Sequence, residues 1–193
     1  MKCLSLAVAL ALTPACAHAV LSYVPQHADP RGLPIAICVN AAVDFDLQVD
    51  TLDAMEQWNK ALGGMYLAWR CPPLEYQPDL SSYKKARRTP PPLDYIHVGQ
   101  TTLESLPPPS VAMVLTWPPV ESPGRRGYLF MSEPRTPTSR YNLMLHELGH
   151  VLGLAHDNGI MWPHADIYEK QEIDEAALEA VRKLWGEESK ETK

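Results

Sequence analysis

His146, Glu147, His150, Gly153 and His156 are the residues whose types and spacing can do chemistry together. The run reads His146-Glu147-Leu148-Gly149-His150-Val151-Leu152-Gly153-Leu154-Ala155-His156. On a helix four residues advance about 400°, so His146 and His150 leave one face and can share a metal ion. Glu147 projects from the next position, off the line joining the histidines. A carboxylate there can hold a metal-bound water and take its proton. Gly153 permits a left-handed turn, after which the chain can double back to present His156 as a third ligand. Three neutral imidazoles leave the fourth tetrahedral position of a zinc ion open, which catalysis needs and a closed structural site lacks. Two core histidines bonded to backbone groups would be the plainer reading, but it leaves Glu147, Gly153 and His156 unexplained.

The elements that must position these groups are legible from periodicity. Ile35-Ala36-Ile37-Cys38-Val39 alternates apolar residues and predicts a strand. A helix follows, capped by Asp50, with Leu52, Met55, Trp58 and Leu62 on one face and Gly63-Gly64 as its stop. Residues 65–69 predict a second strand, so strand, helix and strand make a parallel pair with a crossover helix. Cys38 and Cys71 then fall near the same end of adjacent strands, and we expect them to pair; two small buried thiols are the alternative. Proline clusters at 90–92, 107–109 and 118–119 mark rigid connectors between short strands at 95–98, 111–117 and 128–132. The zinc-type segment should close a helix over 139–152, with Ser139 as cap and Gly153 as stop. A last helix over 174–185 repeats Ile173, Ala177, Val181 and Leu184 at helical spacing and is expected only to cover the core. The fold expected is α+β: a twisted mixed sheet of four or five strands with three helices.

From His146 to His156 the chain resembles the extended zinc signature of the metzincin peptidases in every defining position. Ile160-Met161-Trp162-Pro163 resembles the matrixin form of that family's methionine turn, which lies beneath the metal. Ala54-Met55-Glu56-Gln57-Trp58-Asn59 and the closing 173–186 segment are similar to the first and last matrixin helices. The resemblance implies a zincin-type fold and a zinc endopeptidase whose Glu147 is the general base, with one catalytic zinc on His146, His150 and His156. It also implies that an edge strand pairs with the extended substrate, which by position would be Tyr128, Leu129, Phe130, Met131 and Ser132. Asp157, where animal matrixins usually have serine, is either an outer-shell orienting carboxylate or a plain turn residue. His164 is a candidate pocket residue, while His27 and His97 stand alone and read as surface or strand histidines. No ligand set for calcium or for a second zinc can be assembled from the sequence. A cell-wall peptide hydrolase and a catalytically silent zinc-containing binding module are the alternatives, and Glu147 discriminates against the latter.

The chain as a whole bounds the setting. Its 193 residues suit one domain, and a formal net charge of −6 argues against nucleic acid as partner. Lys84-Lys85-Ala86-Arg87-Arg88 is the one basic cluster and reads as a solvated loop. Residues 1–19 predict a signal peptide: Lys2, an apolar run from Leu4 to Leu12, and Ala17-His18-Ala19 as cleavage site. Lipid attachment at Cys16 is the competing reading and the poorer match. Residues 20–34 form an irregular lead-in and 35–193 the catalytic domain. No segment is long enough for a transmembrane helix, so a secreted or periplasmic monomer acting on proteins or peptides is expected. The lead-in is short and has no cysteine, so activity is expected as soon as the signal is removed.

Overall fold

The computed structural model describes residues 33–91, 93–108, 110–117, 126–132, 136–163 and 169–185. The signal peptide, Cys16, nearly all of the lead-in, His27 and His164 lie outside the described residues. So do Pro92, Pro109, Pro118 and Pro119.

The elements run β1 (Ile35–Val39), α1 (Phe45–Leu62), β2 (Leu67–Trp69), α2 (Tyr83–Ala86), β3 (Ile96–Thr101), β4 (Ala112–Trp117), β5 (Arg126–Ser132), α3 (Pro137–Val151) and α4 (Glu175–Leu184). Short 3₁₀ turns occupy Leu74–Tyr76, Leu103–Ser105 and Gly159–Met161. The five strands form one mixed sheet in the order β2-β1-β3-β5-β4. β4 alone is antiparallel, pairing with β5 so that Val114 faces Leu129. This is the α+β architecture the sequence predicts, with α2 as an added single turn in the basic segment.

Burial explains the layering. β3 and β5 are buried on both faces, as central parallel strands must be. One face contributes Ile35, Ile37, Val98, Leu129 and Met131 to a core shared with Trp58, Met144, Leu148 and Val181 from the helices. On the opposite face Leu80, Tyr83, Ala86 and Leu106 cover Tyr128 and Phe130. The basic segment is therefore half anchored: Tyr83 and Ala86 are buried, while Lys84, Lys85, Arg87 and Arg88 are exposed. Among the described residues no helix is long and apolar enough to cross a membrane.

Two helix starts and two buried faces differ from expectation, each for a local reason. α1 begins at Phe45 because Asp44, not Asp50, caps it by accepting from the Leu47 amide at 2.8 Å. Asp50 lies inside the helix and pairs with Arg140 of α3. The buried face of α1 is Leu47, Thr51, Ala54, Met55, Trp58 and Leu62; Leu52 is exposed. Thr136 caps α3, with Pro137 in the first turn, where its missing N–H costs nothing. Ser139 is the donor to that cap rather than the cap itself. In α4 Leu184 is exposed, and Leu178 and Trp185 are buried in its place.

The larger correction concerns the edge. Tyr128, Leu129, Phe130, Met131 and Ser132 do not form an edge strand, because β5 pairs with β3 on one side and β4 on the other. Antiparallel pairing places β4 outside β5, so among the described residues the outer strand on this side is Ala112–Trp117. Cys38 and Cys71 are joined by a disulfide with their Cα atoms 4.6 Å apart. The parallel pairing of β1 with β2 brings them to one end of the sheet.

Candidate metal centre

Helix α3 packs between α1 and the outer strand β4. Its last two turns carry His146, Glu147 and His150, with His146 and Glu147 buried and His150 partly so. The helix stops at Leu152, and Gly153 adopts φ 101°, a left-handed conformation that strains any residue with a Cβ. That reversal brings the exposed His156 back to the other two. The ring centroids stand 4.7 Å apart for His146 and His150, 5.3 Å for His146 and His156, and 4.7 Å for His150 and His156. One ligand atom from each of the three lies within 4.8 Å of the others, and this is the one such group found among the described residues.

The hydrogen bonds fix which nitrogens converge. His146 Nδ1 lies 2.8 Å from the Ile160 carbonyl and His150 Nδ1 lies 2.7 Å from the Leu154 carbonyl. A carbonyl oxygen only accepts, so both Nδ1 atoms must carry the proton and donate. In neutral rings each Nε2 is then a lone pair. The two Nε2 atoms face each other at 3.1 Å with no proton between them. Two facing lone pairs repel unless a cation sits beside them. Tetrahedral zinc with Zn–N of about 2.0–2.1 Å holds neighbouring nitrogens roughly 3.3–3.4 Å apart, close to this separation. The donor set therefore fits a metal of that type.

Electrostatics point the same way. Burial lowers the pKa of His146 and takes that of His150 down to about 4, since charged rings are poorly solvated there. Neutral rings are what a metal ligand must be. Burial pushes the Glu147 carboxyl up to about 8.

Met161 lies buried in the 3₁₀ turn that follows His156 in the chain. Its sulfur rests against the backbone of Gly149, where a Cβ would collide with it. Gly149 sits mid-helix, where glycine costs about 1 kcal/mol relative to alanine, and that penalty is the sequence signal that something packs closely there. Asp157 turns its amide to the Met161 carbonyl at 3.1 Å, and its side chain is exposed. It thus helps close the loop through its backbone. Sequence pattern assigns no individual role at the site to Leu154, Ile160, Trp58, Asp174 or Trp185. The first two act through main-chain carbonyls, which carry no residue-type signal. Trp58 donates its indole N–H to the Leu145 carbonyl at 3.0 Å, bracing α3 one residue before the first ligand.

No family model matches the chain, and no curated protein matches it. Among solved structures the chain is similar to the archaemetzincin of Methanopyrus kandleri, at 16% identity and a TM-score of 0.49. The alignment covers 81% of this chain and 98% of that one. What the site can do is therefore read from its own residues.

Proposed function

We propose that the chain is a zinc-dependent endopeptidase of the metzincin type that hydrolyses extracytoplasmic proteins or peptides. The pair of facing lone pairs on His146 and His150, with His156 closing the triad and Glu147 next along the helix, carries this reading. One zinc on the three histidines would supply Lewis acidity, bringing the pKa of a water from 15.7 to about 7. Glu147 would be favoured in its ionised form, against its burial, by a dication on the triad, and its carboxylate oxygen then takes a proton from the attacking water and passes it to the leaving nitrogen. Its burial excludes bulk solvent from that exchange.

Substrate binding falls to β4, whose outer edge has no partner strand among the described residues. The Ser132 amide donates to the Val111 carbonyl, and antiparallel ladders alternate. By that alternation Ala112, Val114 and Thr116 turn their main-chain groups outward, ready to pair with an extended peptide. The Cys38–Cys71 disulfide and the signal-like 1–19 segment support an oxidising, exported setting.

The test is zinc content together with cleavage of an unstructured protein. Wild type is expected to carry one zinc near neutral pH and to cleave. Glu147→Ala should keep the zinc and lose ~10²–10⁴-fold in rate. A zinc-loaded wild type that cleaves nothing would make the chain a binding module, and a chain that takes up no zinc would end the proposal.

A further inference from the structure

Helix α4 looks from the sequence like a cover for the core, yet both of its ends reach the loop that carries the third histidine. At its N-terminus the Asp174 carboxylate is divided. Oδ1 caps α4 by accepting from the Ala177 amide at 2.9 Å, and Oδ2 accepts from the Ile160 amide at 3.1 Å. Ile160 is the residue whose carbonyl receives the His146 ring proton. Gly159 adopts φ 61° beside it, and a Cβ there would run into the Asp174 carboxylate. At the other end Trp185, itself buried, donates its indole N–H to the Leu152 carbonyl at 3.1 Å. Leu152 is the residue on which α3 stops. Arg182 adds a tie to the Ala61 carbonyl at the end of α1, at 3.2 Å.

Between Leu152 and Ile160 lie the Gly153 reversal, the Leu154 carbonyl that orients His150, and His156. The loop is short, largely irregular and exposed from 155 to 159, so between its buried ends only main-chain bonds such as that from Asp157 to Met161 hold it to itself. We infer that Asp174 and Trp185 are positioning residues, and that α4 is a clamp whose two ends fix the loop bearing the ligand-orienting carbonyls and His156. The inference rests on reading the triad as a metal centre. Groups that orient metal ligands at one remove are worth roughly 10–100-fold in metal affinity.

The experiment compares the full chain with Asp174→Asn, Trp185→Phe and Val181→Ala. Asparagine keeps one side-chain oxygen for the Ala177 cap but offers no second acceptor to Ile160. Phenylalanine keeps most of the ring and loses the donor. Val181 is buried on α4 and its side chain can make no hydrogen bond, so its truncation destabilises the packing without removing either tie. Zinc Kd is read by competition with a chromophoric chelator, and amide hydrogen exchange over 154–161 is read in the metal-free chain. Asp174→Asn and Trp185→Phe are each expected to raise Kd roughly tenfold and to speed exchange in that loop. Val181→Ala should lower Tm with Kd unchanged. Kd and exchange at wild-type values in the two end variants would overturn the clamp, as would an equal Kd shift in Val181→Ala. Should Trp185→Phe fail to fold, Asp174→Asn decides alone. Failure of the clamp with a zinc-binding, cleaving wild type leaves the peptidase reading intact, whereas a wild type without zinc removes both.

Discussion

His97 lies fully buried on β3, beside Tyr95 and Tyr128, and neither ring nitrogen has a hydrogen-bond partner among the described residues. Its neighbours on either strand, Cys38 and Tyr128, explain why a histidine that reads as an ordinary strand residue ends in the interior. Burial lowers its pKa to about 4. The unfolded chain, near 6.5, takes up the proton first as pH falls. His97 therefore costs no stability above about pH 6.5 and erodes it progressively between 6.5 and 4, by about 2 kcal/mol at pH 5. Urea midpoints at pH 7.5 and 5 should fall further apart for wild type than for His97→Leu, since all other groups titrate in both; equal separations would refute the assignment. Gly149 makes a steric prediction at the same scale. Gly149→Ala gains up to about 1 kcal/mol of helix propensity but pushes Met161 from its seat, an overpacking typically costing 1–3 kcal/mol. A lower Tm and faster zinc release are expected, and unchanged values of both would show that Met161 can yield freely.

Elements hold the site through contacts distant in sequence. α1 reaches the zinc-type helix by the Trp58 indole and by the Arg140 pairs with Asp50 and Asp46, the latter at 3.5 Å. Trp58→Phe retains most of the buried ring but leaves the Leu145 carbonyl without this donor. A loss of about 1–2 kcal/mol in urea unfolding is expected, and a change below a few tenths would show that the helix bond to that carbonyl suffices. β1 and β2 are tied by the disulfide, which spans 33 positions. Chain entropy gives it about 3–4 kcal/mol. The Cys38→Ala, Cys71→Ala double variant should lose that much with its far-UV spectrum retained at low temperature. A loss under 1 kcal/mol would mean that strand pairing alone holds this end.

At the scale of the molecule, the sheet leaves one antiparallel strand outermost beside α3. If a peptide pairs with β4, N-methylation of a substrate at alternate positions should raise KM strongly for one parity and barely for the other. Equal effects at both parities would exclude strand pairing. Chelation should lower Tm while keeping the helical spectrum, since the main core packs sheet against helices through apolar side chains and includes none of the three histidines. Zinc at 100 times its Kd should restore about 2.7 kcal/mol. Collapse of the fold on chelation would make the metal structural instead.

The zinc-type segment was legible in the sequence because helical spacing alone puts His146 and His150 on one face, and Gly153 alone marks the reversal before His156. Cys38 and Cys71 were legible because a strand, a crossover helix and a strand admit few arrangements. What spacing could not decide was neighbourhood. Whether Tyr128–Ser132 or 112–117 lies outermost depends on the order of strands in the sheet, which local pattern does not encode. The same is true of Asp174 and Trp185, whose partners Ile160 and Leu152 act through main-chain atoms common to every residue. Periodicity determined which faces had to be buried; only the packed sheet decided what each face would meet.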